Sequence, residues 1–126
     1  MTDEALPSDN ARVVFDPKGA MERLGVSEDE FWELVEVSRL ECEGRLQALA
    51  ESLLLKDMAH SARHAHTLKS TAANIGASVT QGLSASLEAA ARSGDHLGAA
   101  RLLTQVNEAL ADLWAAVDRT TNAPGV

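Results

Sequence analysis

A chain of 126 residues can bury one core of ordinary size but not two, so a single domain must carry the function. Its formal charge of -8, with only 11 Lys and Arg, excludes a protein that neutralises a nucleic-acid backbone through a basic stripe. The core must be aliphatic, because 45% of the chain is apolar while only two Trp, two Phe and no Tyr are present; a composition of that kind favours helices.

One Cys excludes an internal disulfide framework, and no CxxC or Cys/His cluster suggests structural zinc. The acidic start "MTDEALPSDNARVVF" lacks the basic residues and apolar run of a signal peptide, and no stretch approaches the roughly 18 apolar residues of a membrane span. The chain reads as soluble and cytoplasmic, with neither membrane nor nucleic acid as a partner.

Residues 1–15 hold Pro7, Ser8, Asp9 and Asn10 without a helical period and read as a flexible lead-in. In "DPKGAMERLG", Asp16 as N-cap, Pro17 at the first helical position and Gly25 as a stop predict a short helix that caps one end of a bundle. "SEDE" at 27–30 is a capping box; behind it Phe31, Leu34, Val35, Cys42, Leu46, Leu49 and Leu53 recur at helical steps, with Cys42 as an inert inward thiol. Met58, Ala65, Leu68, Ala72 and Ile75 keep the period as far as Gly76, a second stop.

A third long helix runs from about Val79 to Arg92 and ends at Gly94. Asp95 then caps a fourth, which carries Ala99, Leu103, Val106, Leu110, Leu113 and Val117. Short links between long helices predict an all-α fold: an antiparallel up-down-up-down four-helix bundle with a short additional N-terminal helix, spanning residues 16–119 and followed by a frayed tail at 120–126.

One helix face carries usable chemistry. His66 lies about 200 degrees around the helix from Leu68, off the inward stripe, and so is at least partly exposed. Its neighbours on that face are Ala62 and Arg63 one turn before, Lys69 and Ser70 one turn after, and Ala73 two turns after. An imidazole nitrogen can hold a covalent phosphoryl group, whose charge Lys69 and Arg63 are placed to meet, while the small residues leave room for another protein. A carboxylate accepting from one ring nitrogen would leave the other free to attack. Counting outward from a hairpin turn near Gly76 to Ser78 brings Glu88 to the height of His66, beside rather than on the inward stripe, and makes it the candidate for that carboxylate.

"AHTLKSTAANIGA" followed by "LSASLEAAARSGD" resembles the histidine-containing phosphotransfer (HPt) domain over most of residues 16–118. The resemblance implies a four-helix bundle that accepts a phosphoryl group on a surface His and exchanges it with the Asp of a response-regulator receiver domain, or accepts it from a sensor or hybrid histidine kinase. His66 matches the phosphorylated His, Lys69 the motif Lys, Gly76 the Gly ending the helix, and Glu88 a position where related domains orient the ring. Ser70 departs from the pattern, which usually has Gly after the Lys; its hydroxyl has the spacing to bond back to the carbonyl of residue 66. Arg63, Ala62, Ser70 and Ala73 form the expected docking rim.

The remaining features favour blander readings. His60 and His64 stand four apart but lack further ligands, so no metal site is expected; His96 reads as a first-turn surface residue, and Trp32 and Trp114 as packing. A kinase dimerisation bundle normally has an acidic residue and a Pro after its His, whereas Thr67 follows His66 and no Pro falls between 18 and 123. No nucleotide loop is present, so the expectation is a monomeric carrier without autokinase activity or bound cofactor, any Mg ion coming with the receiver. The competing reading is a helical adaptor or regulatory bundle that binds a signalling partner without being phosphorylated.

Overall fold

The computed structural model describes residues 13–121, which form five helices and, among the described residues, no strand. They are α1 (Pro17–Leu24), α2 (Glu28–Leu54), α3 (Met58–Asn74), α4 (Ser78–Arg92) and α5 (His96–Thr121). Asp16 caps α1 by accepting from the Gly19 amide at 3.1 Å, and Gly25 ends it at φ 68. The Ser27 hydroxyl accepts from the Glu30 amide at 3.2 Å while Glu30 accepts from the Ser27 amide at 2.9 Å, so both halves of the capping box are made. Each satisfies an amide that the first helical turn would otherwise leave without a partner.

The long helices pack on their chain neighbours, and α5 returns to α2 to close the bundle. Hydrogen bonds give the directions. Ser52 meets Ser61 at 2.7 Å and Arg45 meets His64 at 3.1 Å, so α2 and α3 are traversed in opposite senses. The same holds for α2 and α5, where Leu53 meets His96 at one end and Arg39 meets Asp118 at the other. The interior is aliphatic apart from Phe31: Leu49, Leu68, Leu87, Val106 and Leu113 are fully buried, each removing from water an apolar side chain whose transfer is favourable by about 2 kcal/mol. Leu34, Leu46 and Leu103, expected on the inward stripes, sit at their margins and are only partly buried.

Gly76 determines where the short helix rests. Its φ of 79 turns the chain between α3 and α4, and a Cβ there would run into the Asp16 carbonyl. The bare backbone instead lets the Asp16 amide donate to the Gly76 carbonyl at 2.9 Å, which seats α1 on this turn. Val14 and Phe15, expected in the lead-in, pack against the core, with Phe15 against Phe31 and Trp32; the rest of the expected lead-in, residues 1–12, lies outside the described residues. At the other terminus α5 continues to Thr121, past the expected boundary at 119, and residues 122–126 lie outside the described chain.

His96 corrects its surface reading: the half-buried ring donates from Nε2 to the Leu53 carbonyl at 2.8 Å, satisfying an acceptor at the C-terminal end of α2. Trp32 joins the Phe15 and Phe31 cluster, and Trp114 lies under the Arg39 guanidinium at 5.1 Å. Cys42 is fully buried, and burial first, then the charges of Glu41 and Glu43, pushes its thiol up to about 12. Such a thiol is unreactive. Among the described residues no helix is long and apolar enough to cross a membrane.

Candidate functional site

His66 stands on the outer side of α3, its side chain 54% exposed. Asp57 caps the start of that helix and the Gly76 turn ends it, so the ring is held mid-helix, where the backbone is least free to fray. Across the groove, Glu88 projects from α4 with its side chain only 9% exposed. The distance from His66 Nδ1 to Glu88 Oε2 is 3.1 Å. Because a carboxylate only accepts, Nδ1 must carry the hydrogen and donate it, which leaves the Nε2 lone pair available in the neutral ring. Nε2 has no hydrogen-bond partner among the described residues.

Glu88 is tied down by more than the ring. Lys69 donates to Oε1 at 2.8 Å, and Arg92 grips Oε2 through Nε at 3.1 Å and Nη2 at 2.7 Å. The Lys69 ammonium is the chief reason that the Glu88 carboxyl is held down at about 2; burial opposes it, while Arg92 and His66 add to it. The carboxylate is therefore charged throughout the neutral range, with three side chains sharing its two oxygens.

One hollow adjoins this cluster and another lies at the Gly76 turn. One, of about 580 Å3, lies beside the ring and is lined by Met58, Ala59, Ala62, Arg63, His66, Thr67, Ala91 and Arg92. The other, of about 440 Å3, includes Ala73, Gly76, Arg23 and Gln81. The expected rim is thus divided. Ala62 and Arg63 share the first hollow with His66, but Ala62 is buried and forms floor rather than rim, because it faces the packed side of the α3 stripe. Ala73 belongs to the second hollow, where its carbonyl receives Arg23 at 3.4 Å. Ser70 is exposed and its expected back-bond to residue 66 is not formed; the back-bond in this stretch runs from Thr67 to the Arg63 carbonyl at 3.3 Å.

The Hpt domain family model matches residues 33–116, which includes His66, Lys69, Glu88 and Arg92. The chain belongs to the Hpt domain family. Among solved structures, it is similar to histidine-containing phosphotransfer protein B (HptB) from Pseudomonas aeruginosa PAO1: the TM-score is 0.79 at 27% identity, covering 86% of this chain and 95% of that one. A comparison with curated protein sequences found no match.

Within this Hpt domain, the helical bundle and the meeting of His66 with Glu88 follow the sequence expectation, but two placements do not. Glu88 is buried rather than standing beside the inward stripe, because α4 lies in the groove against α3. Lys69 points at Glu88 and does not line the hollow beside the ring. Arg92 was missed. Its signal is a position four residues after Glu88 on one helix, the spacing at which Glu and Arg side chains meet.

The other histidines are differently engaged: His60 Nδ1 donates to Asp57 at 2.6 Å, and His64 Nδ1 faces the Arg45 guanidinium. Among the described residues no three His, Cys, Asp or Glu side chains come close enough together to hold a metal ion.

Proposed function

We propose that this Hpt domain is a phosphorelay carrier in which His66 takes a phosphoryl group from the aspartyl phosphate of a receiver domain, or from a kinase phosphohistidine, and passes it to another receiver aspartate. The observation that carries this reading is the ring itself: Nδ1 is committed to Glu88, while Nε2 is unpartnered on an exposed helix face beside a cationic hollow. In the aspartyl transfer, Nε2 attacks phosphorus in line, the N–P bond forms as the acyl O–P bond breaks, and the carboxylate leaves with its electron pair. The ring keeps its Nδ1 hydrogen and becomes cationic, a charge that Glu88 faces directly.

Arg63 stands one turn from His66 and Lys69 one turn beyond it, so both can reach phosphoryl oxygens by rotating side chains. Any Mg ion is assigned to the receiver, whose acyl phosphate it would neutralise; this chain acts by positioning and charge, as a monomer without autokinase activity. The test is incubation with a phosphorylated receiver domain, following label on wild type and His66→Gln. Label on wild type alone supports the carrier. Equal label on both, or none on either with every receiver tried, sinks it in favour of an unphosphorylated adaptor.

A further inference from the structure

The reading of His66 as the phosphorylated residue leaves a conflict: the cation nearest to it in sequence on the following turn, Lys69, is already bound to Glu88 at 2.8 Å. A phosphoryl group on Nε2 would have to draw Lys69 away from a carboxylate whose side chain is 9% exposed. Were Lys69 its one cationic partner, that loss would strand a buried charge, which is strongly unfavourable. Glu88, however, has a second cation.

We propose that Arg92 is a positioning residue that makes Lys69 transferable, holding Glu88 while Lys69 moves from Oε1 to the phosphoryl oxygens. The division of the carboxylate supports this. Lys69 alone occupies Oε1, whereas Arg92 binds Oε2 with two donors, Nε at 3.1 Å and Nη2 at 2.7 Å, alongside the Nδ1 contact of His66. Removing Lys69 therefore leaves every bond to Oε2 intact, including the one that orients the ring.

Arg92 can serve as this anchor because Glu88 lies four residues before it, the favourable order for a helical acid–base pair, and because it occupies the last turn of α4, where cations complement the helix dipole. Its fork binds from the rim, at 63% side-chain exposure, without needing burial of its own. Charge balance agrees. After transfer the cationic ring, Lys69 and Arg92 together offset the phosphoryl dianion and Glu88. Without Arg92, Glu88 has no cation of its own once the phosphoryl group arrives, and Lys69 is contested between two anions.

This inference rests on the His66 reading, and the experiment separates the two. Wild type, Arg92→Gln, Arg92→Lys, Lys69→Gln and the Arg92→Gln/Lys69→Gln double variant are labelled by one phosphorylated receiver domain, with His66→Gln as the blank. Transfer rate and phosphohistidine half-life are recorded, and thermal melting verifies folding. Arg92→Gln is expected to slow transfer or shorten the half-life about tenfold, as Lys69→Gln does, with Arg92→Lys recovering part of the loss. Since both substitutions disable one exchange, the double variant should be little worse than the poorer single.

Ring nitrogen NMR of unphosphorylated Lys69→Gln should still show the hydrogen on Nδ1. Effects of the two substitutions that multiply, or an Arg92→Gln variant with wild-type rate and half-life, overturn the exchange while leaving the carrier intact. Label that persists in His66→Gln, or is absent from wild type, overturns both.

Discussion

His64 and His66 lie two residues apart on α3 and have opposite hydrogen-bonding states. His66 faces α4, where the Glu88 carboxylate accepts from Nδ1. His64 faces α2, where Arg45 Nη1 lies 3.1 Å from Nδ1 and can only donate, so Nδ1 of His64 must accept and its hydrogen resides on Nε2. The same side chain thus presents an Nε2 lone pair where a carboxylate accepts from Nδ1 across one groove, and an Nδ1 lone pair where a guanidinium donates across the other. Position on a helix brings an imidazole to a surface; the neighbouring helix decides which nitrogen carries the hydrogen.

The comparison is broken most sharply by removing each ring in turn. His66→Gln should abolish labelling by a phosphorylated receiver, a loss of more than about 10³-fold, because no other nitrogen can substitute for the nucleophile. His64→Gln should label within about twofold of wild type. Comparable loss from both variants would mean that the two rings act together and that the contrast in their partners is irrelevant to transfer.

A second difference is in stability against pH. The Glu88 carboxyl, ordinarily at 4.5, is held at about 2 by Lys69 first and then, against the opposing effect of burial, by Arg92 and His66. As pH falls, the unfolded chain binds this proton before the folded one. The stabilisation is therefore complete above 4.5 and lost as pH falls from there through about 2. Urea unfolding of wild type and Glu88→Gln should show wild type ahead at neutral pH, with the gap closing across that acid window. A gap constant from neutral pH down to about pH 2 would show that the charge of Glu88 contributes nothing to folding.

His64 titrates in a higher window with a smaller effect. Burial first, then the positive charges of Arg45, His60 and Arg63, pushes its ring below the ordinary 6.5, while Asp57 opposes them. The fold thus favours the neutral ring, and the unfolded chain takes up the proton first as pH drops. Stability from this site is full above 6.5 and declines beneath it, so His64→Gln should flatten the stability profile just below 6.5. Arg45→Gln should steepen nothing and partly flatten it as well, since it removes one of the charges that disfavour protonation.

The legible parts of this molecule were those governed by local rules. Asp16, Ser27 with Glu30, Gly25 and Gly76 mark helix ends through capping and positive φ, which four-residue windows contain. Glu88 was found opposite His66 because a hairpin of straight helices has a countable height. The Arg92 contact follows from a four-residue spacing, whereas the burial of Glu88 and its Lys69 contact were not legible, because they depend on how deeply α4 settles against α3 and on how the side chains share one carboxylate. His96 failed for the same reason: its acceptor is 43 residues away, at the end of another helix. Periodicity says which face turns inward; it does not say what that face meets.

Ser70 supplies the smallest expected effect and tests how much the His66 face owes to bareness. It follows Lys69, lies one helical turn beyond His66, is exposed, and its hydroxyl makes no hydrogen bond among the described residues. Ser70→Gly therefore removes no side-chain hydrogen bond. Glycine in a helix interior costs more backbone entropy than serine, so the variant should lose about 0.5 kcal/mol or less in urea unfolding. Its transfer rate from a phosphorylated receiver should change by less than about threefold, because a hydroxymethyl free to rotate toward solvent yields to an approaching surface at little cost. A gain of tenfold or more would show instead that this one side chain limits access to Nε2, and that the open ring of His66 is less open than its exposure suggests.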